Sequence, residues 1–109
     1  MSLTSADKDF LCINLYYFLI NEKKMCEKLS SKITGMFIEE DEILIEFRNH
    51  NFEFINKQII DALNVLMQYT INKTDEYDLE ALKNILIYQD FKNLAKEYLV
   101  NYSHLIITS

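Results

Sequence analysis

A single glycine, Gly35, and not one proline punctuate this chain of 109 residues. Turn-rich β architectures draw on both residue types. Glycine supplies the left-handed backbone of tight turns, and proline presets φ at a turn's first corner. A chain nearly without them is best built as helices joined by polar linkers. Its length suffices for one modest hydrophobic core and no more.

The apolar pattern divides the chain further. Thr4 is placed to cap a first helix, with Asp7 three residues on as an imperfect capping box. Phe10 to Leu19 is dense in Leu, Ile, Tyr and Phe, and the chain turns polar at Asn21 to Lys24. Met25, Cys26 and Leu29 continue the apolar side, so one long helix or two short ones fit equally. Ser30 and Ser31 then read as a break and as the cap of a new helix.

Lys32 to Phe47 is ambiguous. Ile33, Met36, Phe37, Ile43, Leu44 and Phe47 fit the inner faces of two short helices hinged at the acidic run Glu39 to Glu42. Met36-Phe37-Ile38 and Ile43-Leu44-Ile45 fit two strands around an acidic turn as well, and short apolar runs do not separate these by periodicity.

The clearest segment follows. Ile55, Ile59, Ala62, Leu63, Leu66 and Tyr69 recur at spacings of three and four, with Asn56, Lys57, Asp61, Asn64 and Gln68 assigned to the opposite side and Asn51 as a cap. Residues 71–76 read as a polar linker. Leu79, Leu82, Ile85 and Leu86 mark a helix capped by Thr74 or Asp75. Phe91, Leu94, Ala95, Tyr98 and Leu99 mark a last one, restarted at Asp90. The apolar tail Leu105-Ile106-Ile107 is expected either to pack on the body or to meet a partner.

The formal net charge is −6, and one arginine (Arg48) and ten lysines face 17 carboxylates. Nucleic acids are held largely by Lys and Arg on phosphates, so neither they nor an anionic membrane are expected partners, and a neutral or slightly basic peptide or protein fits better. Cys12 and Cys26 lack a CxxC or a nearby His pair and read as buried, reduced thiols of a cytoplasmic protein. No signal peptide is evident, so the glycosylation sequons at Asn72 and Asn101 read as chance matches. His50 and His104 have no ligand at metal spacing, and Glu39-Glu40-Asp41-Glu42 lacks the alternation and glycine of a calcium loop. With no nucleophile–base pair, phosphate-binding loop or zinc motif, neither enzymatic activity nor a cofactor is expected.

The run Lys32-Ile33-Thr34-Gly35-Met36-Phe37-Ile38-Glu39 resembles the KITGMLLE signature of the MLLE (PABC) domain, the C-terminal peptide-binding module of poly(A)-binding proteins. Only Phe37 and Ile38 differ, each standing for a leucine. The likeness extends over about residues 9–69: Leu29 upstream, Glu42-Ile43-Leu44 in the next short helix, and Ala62, Val65 and Leu66 in the family's long last helix. The resemblance implies an all-α fold, a small right-handed bundle of about five helices, here with a C-terminal helical extension. It divides the chain into an N-terminal tail (1–8), the MLLE-like domain (9–69) and the extension (70–109).

The family binds short linear motifs carried by factors of translation and mRNA turnover, through a Phe pocket and a Leu pocket beside the signature helix. Carried over, Lys32, Thr34 and Ile38 border the Phe pocket. Met36, Phe37 and Glu39 line the Leu pocket with Ala62, Val65 and Tyr69. Gly35, read as lying at a helix start, leaves the backbone open to a ligand. Two departures stand out: the family's glycine early in its first full helix has no equivalent near Cys12, and Tyr69 replaces a histidine. Affinity on the order of micromolar is expected for a peptide that orders on binding. The other reading is a helical scaffold that self-associates through its C-terminal helices. The helical path of residues 32–47 is the one that fits the family in order and spacing.

Overall fold

A computed structural model describes residues 3–68 and 79–107, and the side chains of 86–106 within the C-terminal part. The residues described form six helices and no strand: α1 (Ser5–Asn21), α2 (Glu27–Phe37), α3 (Asp41–Arg48), α4 (Phe52–Gln68), α5 (Leu79–Tyr102) and α6 (His104–Ile107). The protein is an all-α bundle. The hairpin alternative for residues 36–47 is thereby excluded: these residues close α2, turn, and form α3.

Local chemistry sets most of the boundaries. The Thr4 hydroxyl accepts from the Asp7 N–H at 3.1 Å, and the Asp7 carboxylate accepts from the Thr4 N–H at 3.3 Å, so the capping box is complete. Between α1 and α2 the chain turns through Lys24, whose φ is 58°. The expected break at Ser30 and Ser31 is corrected. α2 already starts at Glu27, and fully buried Ser30 folds its hydroxyl back onto the Met25 carbonyl at 3.3 Å. A serine that satisfies itself on a preceding carbonyl is tolerated inside a helix. The acidic run is also more than a turn. Asp41 and Glu42 form the first turn of α3 and Arg48 its last, matching the helix dipole at both ends.

Asn51 caps α4 as expected, accepting from the Phe54 N–H at 3.4 Å and donating to Glu46 at 3.0 Å. His50 is exposed in the preceding link at φ 62° and stacks on Phe52 at 5.5 Å. Two expectations for the C-terminal part are corrected. Residues 79–102 are one continuous helix rather than two, because without proline or glycine nothing obliges the chain to break, and Asp90 pairs with Lys28 across the bundle. Leu86, read as an inward position, is 70% exposed. The proposed caps Thr74 and Asp75 and the linker 71–76 lie outside the described residues.

One core joins every helix. Leu11, Leu15 and Leu19 of α1 meet Leu29, Ile33 and Phe37 of α2, Ile43 and Leu44 of α3, and Ile55, Ile59, Leu63 and Leu66 of α4. Ala95 and Tyr98 of α5 and Ile106 of α6 belong to the same cluster, so the apolar tail packs on the body, and α5 lies mainly along α4. Asn56, assigned to the polar side of α4, is buried.

A polar clasp fastens this C-terminal layer. The Tyr98 hydroxyl donates to the Lys23 carbonyl at 2.6 Å, and the Lys23 ammonium donates to the Leu105 carbonyl at 2.9 Å. Burial lowers the Lys23 pKa, partly countered by Glu22, and pushes the Tyr98 phenol up to about 12. Among the described residues no helix is long and apolar enough to cross a membrane.

Candidate functional site

The α2–α3 turn and the outer face of α4 enclose a groove of 370 Å³, lined by Met36 and Phe37 of α2, Glu40, Glu42 and Ile43 around the turn, and Phe54, Gln58, Asp61, Ala62 and Val65 of α4. Each contribution follows from helical geometry. Phe54, Gln58, Asp61 and Val65 recur at spacings of four, three and four, which places them on one stripe, with Ala62 at its inner edge. Phe37, at the end of α2, and Ile43, in the first turn of α3, point into the groove from either side of the acidic link.

Phe37, Ile43 and Ala62 are buried and form the floor. Met36 and Phe54 are half-buried walls, and Val65, 56% exposed, stands at the rim. Glu40, Glu42 and Asp61 are exposed, and no lysine or arginine lines the groove. Such a surface is apolar at its base and acidic at its edge. It can desolvate an apolar side chain on its floor and meet polar groups at its edge.

Four of the residues carried over for the Leu pocket (Met36, Phe37, Ala62 and Val65) are brought together here. Glu39 is not: it is exposed in the link, and its neighbours Glu40 and Glu42 line the groove instead. Tyr69 lies outside the described residues.

The three residues carried over for the Phe pocket do not share a face. Lys32 is turned toward α5, its ammonium 5.1 Å from the Tyr88 ring centre and 5.2 Å from that of Phe91. Thr34, two residues on, falls on the opposite side of α2 with Ile38, since only positions three or four apart align on a helix. The Thr34 hydroxyl oxygen is enclosed without a hydrogen-bond partner.

Gly35 needs a correction of place. It lies in the last turn of α2, not at a helix start, and its φ is not positive. A Cβ there would meet nothing within 4 Å, so the fold itself does not demand glycine. The open backbone faces a second hollow, lined by Lys28, Ser31, Lys32, Met36 and Phe91, with α5 as its far wall. The C-terminal extension therefore covers the flank of the signature helix opposite Thr34 and Ile38.

Sequence reasoning missed Ile43, Phe54, Gln58, Asp61, Glu40 and Glu42. The α4 members were findable, since counting back from Val65 in steps of four and three reaches Asp61, Gln58 and Phe54. Reading Asp61 only as a solvent-side residue hid that stripe. The thiols also differ from expectation: both cysteines are free, but Cys12 is half-buried and Cys26 is exposed at the α2 N-cap. The site and fold define the protein as a small all-α bundle with an apolar, acid-rimmed groove. No family model, curated protein or solved structure matches the chain.

Proposed function

We propose that the chain is a non-enzymatic, cytoplasmic protein-interaction module of the MLLE kind, taking short linear motifs with apolar anchors from factors of translation or mRNA turnover. The observation that carries this reading is a coincidence of two independent facts. The signature-like octapeptide contributes Met36 and Phe37 to a groove that Ala62 and Val65 complete from α4, the pairing the resemblance implies. A groove with a buried floor and exposed walls suits an extended peptide that orders on binding. The shared groove of Met36, Phe37, Ala62 and Val65 supports a seat for the Leu anchor, whereas Lys32, Thr34 and Ile38 do not come together to support one for the Phe anchor.

Titration of the full chain with a labelled peptide carrying the Phe-and-Leu motif tests this. Saturable binding on the order of micromolar is expected, weakened by Met36→Ala at the groove wall. Gly35→Glu separates the two flanks, since a Cβ there meets nothing within 4 Å and the substitution acts on a ligand that crosses the α5 side. Absence of binding at roughly millimolar peptide refutes the assignment.

The second reading, a self-associating scaffold, is favoured by a separate observation. Phe10, Ile13 and Tyr17 form an exposed stripe on α1, and Val100 on α5 is 81% exposed. Sedimentation distinguishes the two, because a monomer at high concentration rules out the scaffold.

A further inference from the structure

We infer that the α2–α3–α4 groove is selective for a basic peptide, one aliphatic anchor flanked on both sides by lysine or arginine. The inference rests on the peptide-binding reading and specifies its ligand. The floor of Phe37, Ile43 and Ala62 is apolar and buried, so it takes a side chain without hydrogen-bonding needs. Around it stand Glu40 and Glu42 on one bank and Asp61 on the other, all exposed. Among the described residues none of these three is in an ion pair. Lys8 is paired with Asp41 at 3.1 Å and Lys28 with Asp90, while Lys57, one turn before Asp61 on α4, is exposed but does not line the groove.

Even with Lys57 one turn from Asp61, the two banks present net negative charge across an apolar slot, in a molecule whose overall charge is −6. Opposite charge on the ligand meets both the local and the long-range field. The same charge disfavours the other occupants. A second copy brings its own net negative charge, and the segment 69–78 carries Asp75, Glu76 and Asp78 against Lys73. Each exposed charge pair changes affinity by roughly two- to fivefold, so reversing the flanks changes it on the order of tenfold or more at low salt. The effect shrinks as salt screens the rim.

Fluorescence anisotropy on the full chain tests this with four labelled peptides: a single Leu between lysines, the same Leu between glutamates, the lysine peptide with Leu→Ser, and the Phe-and-Leu motif peptide. The lysine-flanked Leu peptide is expected to bind at least about tenfold tighter than the glutamate-flanked one. The gap should narrow in 0.5 M salt, where the Debye length falls to about 4 Å. It should also narrow in the triple variant Glu40→Gln, Glu42→Gln, Asp61→Asn, whose surface changes leave the helical circular dichroism intact. Amide shift changes should centre on Ala62 and Val65.

Equal binding of the two Leu peptides, with the motif peptide still bound, overturns the charge selectivity and leaves the peptide-binding reading standing. Equal binding after Leu→Ser reduces the interaction to unspecific attraction and overturns it as well. Shifts confined to α1 or α5 place the ligand elsewhere and refute the site. Failure of all four peptides to bind refutes both readings together.

Discussion

Replacing Tyr98 with phenylalanine isolates the clasp between the α1–α2 link and the C-terminal helices. The ring packs in the core at 5% exposure, and its hydroxyl donates to the Lys23 carbonyl at 2.6 Å. Tyr98→Phe keeps the ring and removes one buried hydrogen bond, leaving a carbonyl without that donor. This costs about 1 to 2 kcal/mol at pH 7. The phenol also predicts how that cost varies with pH. Its folded pKa is about 12, against an ordinary 10.0, chiefly because burial disfavours the phenolate, with Tyr102 adding to the effect.

A group whose folded pKa is raised keeps its full contribution below its unfolded pKa and loses it as pH climbs toward the folded value. Between pH 10 and 12 the wild type should lose roughly 2 to 3 kcal/mol through this one side chain. Lys23, with its lowered pKa, acts in the opposite sense, but it is common to both proteins and largely cancels in their difference. Urea denaturation of both proteins, followed by helical circular dichroism from pH 7 to 11.5, gives the measurement. The wild type's advantage should shrink to about zero or reverse near the top of the range. A variant as stable as wild type at pH 7, or an advantage that stays constant across the alkaline range, refutes the clasp.

Other substitutions probe separate parts of the fold. Leu63→Ala, at a fully buried position on α4, should cost about 2 to 5 kcal/mol in the same denaturation assay. Thr34→Val replaces a hydroxyl enclosed without a partner by a methyl of similar shape, and stability should hold or rise by up to about 1 kcal/mol. Toward a thiol reagent at mildly alkaline pH, exposed Cys26 should react faster than half-buried Cys12, whose thiol pKa is raised first by burial and then by Asp9. Labelling rates in the Cys12→Ser and Cys26→Ser variants check the order.

The parts of the fold legible in the sequence are those governed by neighbours a few residues apart. Thr4 and Asp7 announced the start of α1, and Ile55, Ile59, Leu63 and Leu66 announced the inner face of α4, because caps and helical stripes are written locally. What was not legible depends on partners far along the chain. Ser30 reads as a breaker until the Met25 carbonyl is seen behind it. Asp90 reads as a restart until Lys28 is found across the bundle. Lys32 and Thr34 look like neighbours in a motif, yet helical rotation sends one toward α5 and the other away. Half of the groove was visible through Met36, Phe37, Ala62 and Val65. The other half, Phe54, Gln58 and Asp61, mixes apolar and polar residues on one stripe, so a search for apolar periodicity passes over it.

The clasp also sets a timetable for synthesis. Its two hydrogen bonds join residues 75 and 82 positions apart, so both wait for residues made long after Lys23. A chain emerging from the ribosome can wind α1 to α4 early, since their contacts are mostly short in sequence. It must then wait, one flank of α4 still wet, until α5 arrives. Nascent copies of this protein therefore pass through an interval of exposed apolar surface, and that interval closes only when Ala95, Tyr98 and Ile106 reach the core.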